Sequence, residues 1–187
     1  YNYAVNGVTM ATLCSQANKA VTQGVESVTI QMGANDACKA TEGAMTPVTS
    51  FRNQFQNAMN SVAAGLPNTG VFVASIPDLM RLWEIGKDDA SARSLWAFGG
   101  ICQSMLANPQ STAPADADRR ARVQQRVIDY NAALASVCEQ FANCRFDDNV
   151  VFESGFVLGD LAIDYFHPGV TGQALLATTS YAAGWDW

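Results

Sequence analysis

Val28-Thr29-Ile30-Gln31-Met32 runs directly into Gly33-Ala34-Asn35-Asp36. The β-branched, apolar run followed by a turn signal predicts a buried strand over residues 27–32. Glycine at its end permits a tight turn, and an asparagine just beyond can aim its amide at a developing oxyanion. A second buried strand is predicted at Val71-Phe72-Val73-Ala74-Ser75. Between them, Thr46-Pro47 opens a helix from about Val48 to Ala64, with Phe51, Phe55, Met59 and Val62 at spacings of three and four. Strand, helix, strand is the signature of a parallel sheet with crossover helices.

The pattern continues in both directions. Upstream, Asn2-Tyr3-Ala4-Val5-Asn6 reads as a short strand ending at Gly7, whose backbone N–H can serve as a second oxyanion donor, and Met10 to Val21 reads as a helix. Downstream lies a turn- and aromatic-rich stretch from Ile76 through Trp83 and Trp96 to Gly100, then a Pro/Ala/Ser-rich surface loop from Asn108 to Asp118. Asp116 or Asp118 is expected to cap a long helix reaching about Phe141, with Val123, Val127, Tyr130, Leu134 and Val137 as its apolar stripe. Asn149 to Phe152 is predicted as the next strand and Thr171 to Ala183 as the last helix. No repeat, low-complexity tract or linker divides the chain, so residues 1–187 are read as one α/β domain of three layers, α/β/α.

Composition narrows the function classes. With 49% hydrophobic and 15% charged residues, the 187-residue chain suits one compact domain rather than a disordered segment. Its net charge of −6, without a basic stripe, argues against nucleic acid and anionic lipid as partners. No apolar run has the length needed to cross a bilayer. Arg119, Arg120, Arg122 and Arg126 are expected on the solvated face of the long helix.

The five cysteines, Cys14, Cys38, Cys102, Cys138 and Cys144, show no Cys-x-x-Cys spacing, and a single histidine all but excludes a histidine-based zinc site. They are read as disulfides of an exported protein, secreted or periplasmic, or else as buried thiols. Cys138 with Cys144 and Cys14 with Cys38 are the expected pairs.

The one histidine lies in Asp164-Tyr165-Phe166-His167-Pro168. A carboxylate three residues before a histidine can turn back on the imidazole, hold one ring nitrogen protonated and leave the other free as a base. Pro168 disfavours helical geometry at His167 and keeps it on a loop. Asp164 and His167 are therefore candidates for two members of a hydrolytic triad, with Asn35 and Gly7 as candidate oxyanion donors. Asp36 is expected to order its turn by accepting backbone N–H bonds. Met32, Trp83, Trp96 and Phe166 are weighed as pocket-lining residues against a simple core role. Asp160 with Asp164 lacks the spacing and ligand count of a cation site.

In this order the blocks resemble the SGNH (GDSL-type) hydrolases, over essentially the whole chain. Gly7 matches the family's glycine block, Gly33-x-Asn35-Asp36 its asparagine block and Asp164-x-x-His167-Pro168 its Asp/His block. The resemblance implies a flavodoxin-like parallel sheet and ester hydrolysis by a Ser-His-Asp triad, with no metal or organic cofactor. The family's Gly-Asp-Ser nucleophile block, expected upstream of the glycine block, is absent from this sequence, and so is Gly-x-Ser-x-Gly. Ser154 is the least unsuitable internal substitute.

The chain is accordingly expected to be an amino-terminally incomplete domain, inactive alone, whose serine lies on a missing first strand between those at 2–6 and 28–32. That missing segment is itself a possible partner. The expected substrate is a lipid, a short-chain ester or an acetylated glycan, since one fold of this kind serves many esters. The rival expectation is a non-catalytic pseudoenzyme that binds acyl chains or glycans. A flavin- or phosphate-binding protein is disfavoured by the lack of a glycine-rich phosphate loop.

Overall fold

The β-rich stretches pair into a small parallel sheet of β1 (Ser27–Ile30), β2 (Gly70–Val73) and β3 (Cys144–Phe146), in that order, in a computed structural model that describes residues 1–184. Ile30 sits opposite Val73, and Val73 in turn opposite Phe146. Because side chains alternate across a strand, Val71 and Val73 enter one hydrophobic cluster while Phe72 enters another.

Three of the helices that contribute to the larger cluster are long. These are α1 (Leu13–Gln23), α3 (Val48–Gly65) and α7 (Pro114–Cys138), with the short α2 (Ala34–Ala37) at the end of β1. Phe51, Phe55, Ala58, Met59 and Val62 form the buried stripe of α3. It meets Val123, Val127, Tyr130, Leu134 and Val137 of α7, and the Phe51 and Tyr130 rings stack at 4.1 Å. On the opposite face of the sheet, α8 (Val170–Gly184) brings Leu176 to the small cluster of Phe72, Ala74 and Val151. The layers are α/β/α, as the alternation of elements predicts. No helix among the described residues is long and apolar enough to cross a membrane.

Beyond β2, α4 (Leu79–Gly86), α5 (Ala90–Phe98) and α6 (Gln103–Leu106) add buried residues to the larger cluster. Asp78 starts α4 by accepting the N–H groups of Met80 and Arg81, and Asp89 starts α5 through Ala92 N–H. Trp96 of α5 is completely buried, against Gly86 of α4.

Several expectations are corrected. Residues 2–6 form no strand: the Asn2 side chain accepts the Ala4 N–H at 2.9 Å, and no sheet edge pairs with this stretch. The expected slot between two strands is thus a single open edge on β1, whose other side faces no strand among the described residues. Residues 149–152 are turns, not a strand. The Asp147 carboxylate accepts the N–H groups of Asn149 and Val151, and Asp148 and Asn149 take left-handed φ of 54° and 69°, so the chain curls away as soon as β3 ends.

Helix α7 begins at Pro114 rather than after Asp116 or Asp118, since proline suits a first helical turn. Its arginines do not all face solvent. Arg120 is buried, lies 4.4 Å from the Trp83 ring and donates to Ser111 O, while Arg119 donates to the carbonyls of Gln103, Ser104 and Ala107. Arg119 thus clasps residues 103–107 and Arg120 the loop just before the helix.

Cys138 and Cys144 are bonded as expected, but Cys38 is joined to Cys102 and Cys14 is unpaired. Cys14 turns instead toward the hydroxyl of Ser61 on α3.

Candidate active site

Asp164 and His167 meet through a loop that is folded on itself. Asp164 Oδ1 accepts the N–H groups of Phe166 and His167, each at 3.0 Å, while Oδ2 lies 2.7 Å from His167 Nδ1. Three acceptances by one carboxylate require a sharp bend, and Tyr165 supplies it with a left-handed φ of 54°. That conformation is unfavourable for tyrosine and persists only when neighbours impose it. Here Trp96 Nε1 donates to Tyr165 O at 2.9 Å, and the Tyr165 side chain packs against the main core. No sequence signal marked Tyr165 for this bend, because left-handed positions normally go to glycine or asparagine.

The ends of the loop are stapled as well. Ala162 N–H donates to His167 O at 2.8 Å, Gly169 N–H to Asp160 O at 2.7 Å, and Leu161 bridges Pro168. Thr171 and Gln173 at the start of α8 bond Gly159 O and Pro168 O. Asp160 Oδ2 accepts Val157 N–H, so this carboxylate closes a turn.

His167 stays outside the helix, with its side chain 70% exposed and Nε2 making no hydrogen bond among the described residues. With Nδ1 protonated it donates to Asp164, leaving the Nε2 lone pair directed outward. Burial opposes a charge on Asp164, but the His167 ring and the two backbone N–H donors outweigh it and hold the carboxyl below its ordinary range. The pair therefore carries an ionised acceptor and a ring nitrogen free to take a proton.

Asn35 lies in α2, one step past the carboxyl end of β1. Gly33 before it adopts φ of 125°, and a Cβ there would stand 2.3 Å from Ile76 Cδ1, so only glycine brings β1 this close to the segment after β2. Asp36 is fully buried, and its Oδ2 accepts the Met10 N–H at 2.8 Å. Burial pushes its carboxyl up, against the Thr46 hydroxyl and the Met10 N–H that favour the charged form. Its bond draws the segment bearing Gly7 toward the segment bearing Asn35. Gly7 is exposed, with φ of 75°.

A chain of contacts links the Asn35 turn to the His167 loop. Asn35 follows β1, and Cys38, three residues on, is bonded to Cys102 at the start of α6. Trp96 connects the two loops: its carbonyl accepts Ile101 N–H and Gln103 Nε2, while its indole holds the Tyr165 carbonyl.

The remaining candidates divide. Trp96 is core, whereas Met32, Trp83 and Phe166 are partly buried against it, with the Phe166 ring edge-on to His167 at 4.9 Å. The Ser154 hydroxyl bonds Val151 O and that of Ser75 is buried on Asp147, so neither serves His167. A groove of about 220 Å³ is lined by residues such as Met59, Leu66 and Asn143, another of about 290 Å³ by residues such as Ile30, Phe72 and Tyr181, and neither includes the four candidate residues.

Comparison with known proteins bears on this arrangement. Residues 1–179 match the family model described as GDSL-like Lipase/Acylhydrolase. No curated protein and no solved structure matches the chain significantly.

Proposed function

The chain belongs to the GDSL-like lipase/acylhydrolase family, and on that premise we propose that it is a serine-type ester hydrolase using His167 as general base and Asp164 as its orienting partner. The observation that carries this reading is the 2.7 Å contact between Asp164 Oδ2 and His167 Nδ1, with Nε2 open to solvent. In the reaction a serine hydroxyl attacks the ester carbonyl as His167 Nε2 takes its proton. The same nitrogen returns the proton to the departing alcohol, and water then repeats the cycle on the acyl-enzyme. Asp164 stabilises the transient imidazolium without taking its proton. The Asn35 amide and the Gly7 N–H hold the oxyanion, and loss of one such donor costs about 3–4 kcal/mol of transition-state stabilisation.

The serine is proposed to lie on a segment outside this sequence, packing against the open edge of β1 within one domain. Gly-Asp-Ser is absent, and no serine among the described residues hydrogen-bonds His167. The two disulfides fit an oxidising, exported setting.

The test compares this chain with the polypeptide extended upstream in its natural reading frame, using a short-chain nitrophenyl ester. The extended protein is expected to turn over and to lose roughly 10⁴- to 10⁶-fold in kcat with His167→Ala. The present chain is expected to show no hydrolysis above its own His167→Ala variant. Hydrolysis by this chain that vanishes with Ser154→Ala would place the nucleophile inside it. An extended protein that binds the ester without cleaving it would favour a pseudoenzyme.

A further inference from the structure

Asp36 is the buried polar group whose position the proposed chemistry leaves unexplained. A carboxylate beside a turn asparagine can face water at no cost, yet this one is fully buried and its proton affinity raised by burial. The return for that cost is a long-range bond, from Met10 N–H to Asp36 Oδ2 across 26 residues. Along the chain from Tyr1, it is the first hydrogen bond among the described residues that reaches beyond near neighbours. The Asp36 carbonyl is held too, by Thr46 N–H at 3.0 Å just before α3, and Tyr130 from the middle of α7 donates its hydroxyl to the carbonyl of that same Thr46. Asp36 is thus anchored from behind and grips the amino-terminal segment in front.

The two candidate oxyanion donors lie on either side of this grip. Asn35 is the neighbour of Asp36, and Gly7 is three residues from Met10, within about 11 Å even for an extended chain. A helix of four residues cannot hold its own geometry, so α2 depends on such outside contacts. We propose that Asp36 is a positioning residue that sets Gly7 N–H and the Asn35 amide at the separation an oxyanion needs, by clamping Met10 N–H. The proposal rests on the ester-hydrolase reading and extends it. Asp36 touches no substrate and acts through the two donors. A displacement of about 1 Å at reacting groups can cost on the order of 10²-fold in rate, so a clamp at this point controls turnover.

The experiment uses the extended, active polypeptide, with functional sites counted by stoichiometric labelling with a fluorophosphonate so that rates refer to intact sites. Asp36→Ala is expected to lower kcat per labelled site by roughly 10- to 100-fold with KM changed less than about twofold. Asp36→Asn, whose amide oxygen still accepts the Met10 N–H, should recover kcat to within about fivefold of the parent. Asp36→Ala added to Asn35→Ala should reduce kcat by less than it does alone, because coupled positions are not additive.

Should Asp36→Ala fail to fold, Asp36→Asn and Asp36→Glu carry the test, the longer glutamate being expected to lose at least about 10-fold per site and the asparagine far less. Unchanged kcat per labelled site in Asp36→Ala, full additivity with Asn35→Ala, or equal rates for the Asn and Glu variants overturns the clamp. If Asn35→Ala and His167→Ala leave kcat intact, the ester-hydrolase reading itself falls, and the clamp with it.

Discussion

Two aspartates organise the candidate site at opposite ranges. Asp164 reaches His167 across three residues, in a loop that closes on itself through Ala162–His167 and Leu161–Pro168. Asp36 reaches Met10 across 26 residues and depends on β1, α3 and α7 standing where they do. The first aspartate is partly exposed and its carboxyl is held below the usual range; the second is fully buried and its carboxyl is pushed up. Both carboxylates accept backbone N–H bonds, so the opposite shifts come from burial, which is outweighed at Asp164 and dominant at Asp36. A local pair can remain ionised in water, whereas a long-range clamp accepts desolvation to gain a fixed geometry.

The comparison is most severely strained at Trp96, where the local loop is tied to the body. Trp96→Ala removes a completely buried side chain and the indole bond to Tyr165 O, and should cost about 3–5 kcal/mol in chemical denaturation. Trp96→Phe keeps most of the packing and should cost about 1–3 kcal/mol for the unpaired carbonyl. A loss under about 1 kcal/mol in Trp96→Ala would mean that the His167 loop is self-sufficient.

The disulfides sharpen the same contrast of range. Cys38–Cys102 closes 64 residues and Cys138–Cys144 only six. By loop-closure entropy the first should contribute about 4 kcal/mol and the second about 2 kcal/mol. Paired Cys→Ala variants, compared by urea midpoint, check this order. Equal losses would show that strain or residual structure outweighs loop length.

The smallest effect expected is the pH dependence of Asp164. Its carboxyl is depressed in the folded protein, so its contribution is complete above the ordinary unfolded value near 4 and is lost as pH falls through the lower folded value. Asp164→Asn should therefore be less stable than the parent at pH 7, by no more than about 1 kcal/mol given its exposure, and the gap should close in strong acid. A gap that widened on acidification would contradict the sign of the shift.

Legibility followed range here too. The stripes of α3 and α7, the β2 strand and the Asp164–His167 pair were readable because each depends on spacing within one short segment. Strand character at 2–6 and 149–152 was misread for one reason: a strand is made by its neighbour. Residues 2–6 pair with no strand although the edge of β1 is open, and Asp147 turns residues 149–152 aside through its own side chain. Cys14 was paired with Cys38 because both were expected just beyond neighbouring strand ends, but residues 2–6 form no strand and the helices after β2 bring Cys102 to Cys38 instead. Arg119 and Arg120 looked solvated because arginine usually is, until residues 103–111, a short helix and the loop after it, folded over them to offer their carbonyls.

What the sequence by itself determined is the fold class of the molecule and the identity of its hydrogen-bonded Asp164–His167 pair. Alternating strand and helix periods demand a parallel layered fold, and an aspartate three residues before a histidine and proline makes a dyad from local geometry alone. Only the tertiary structure decided that Tyr165 bends left-handed under the Trp96 bond, that Asp36 lies buried on Met10, and that Cys38 belongs to Cys102. Each of these is a contact between segments remote in sequence. Its energy comes from desolvation and packing that no single segment possesses until the others are in place.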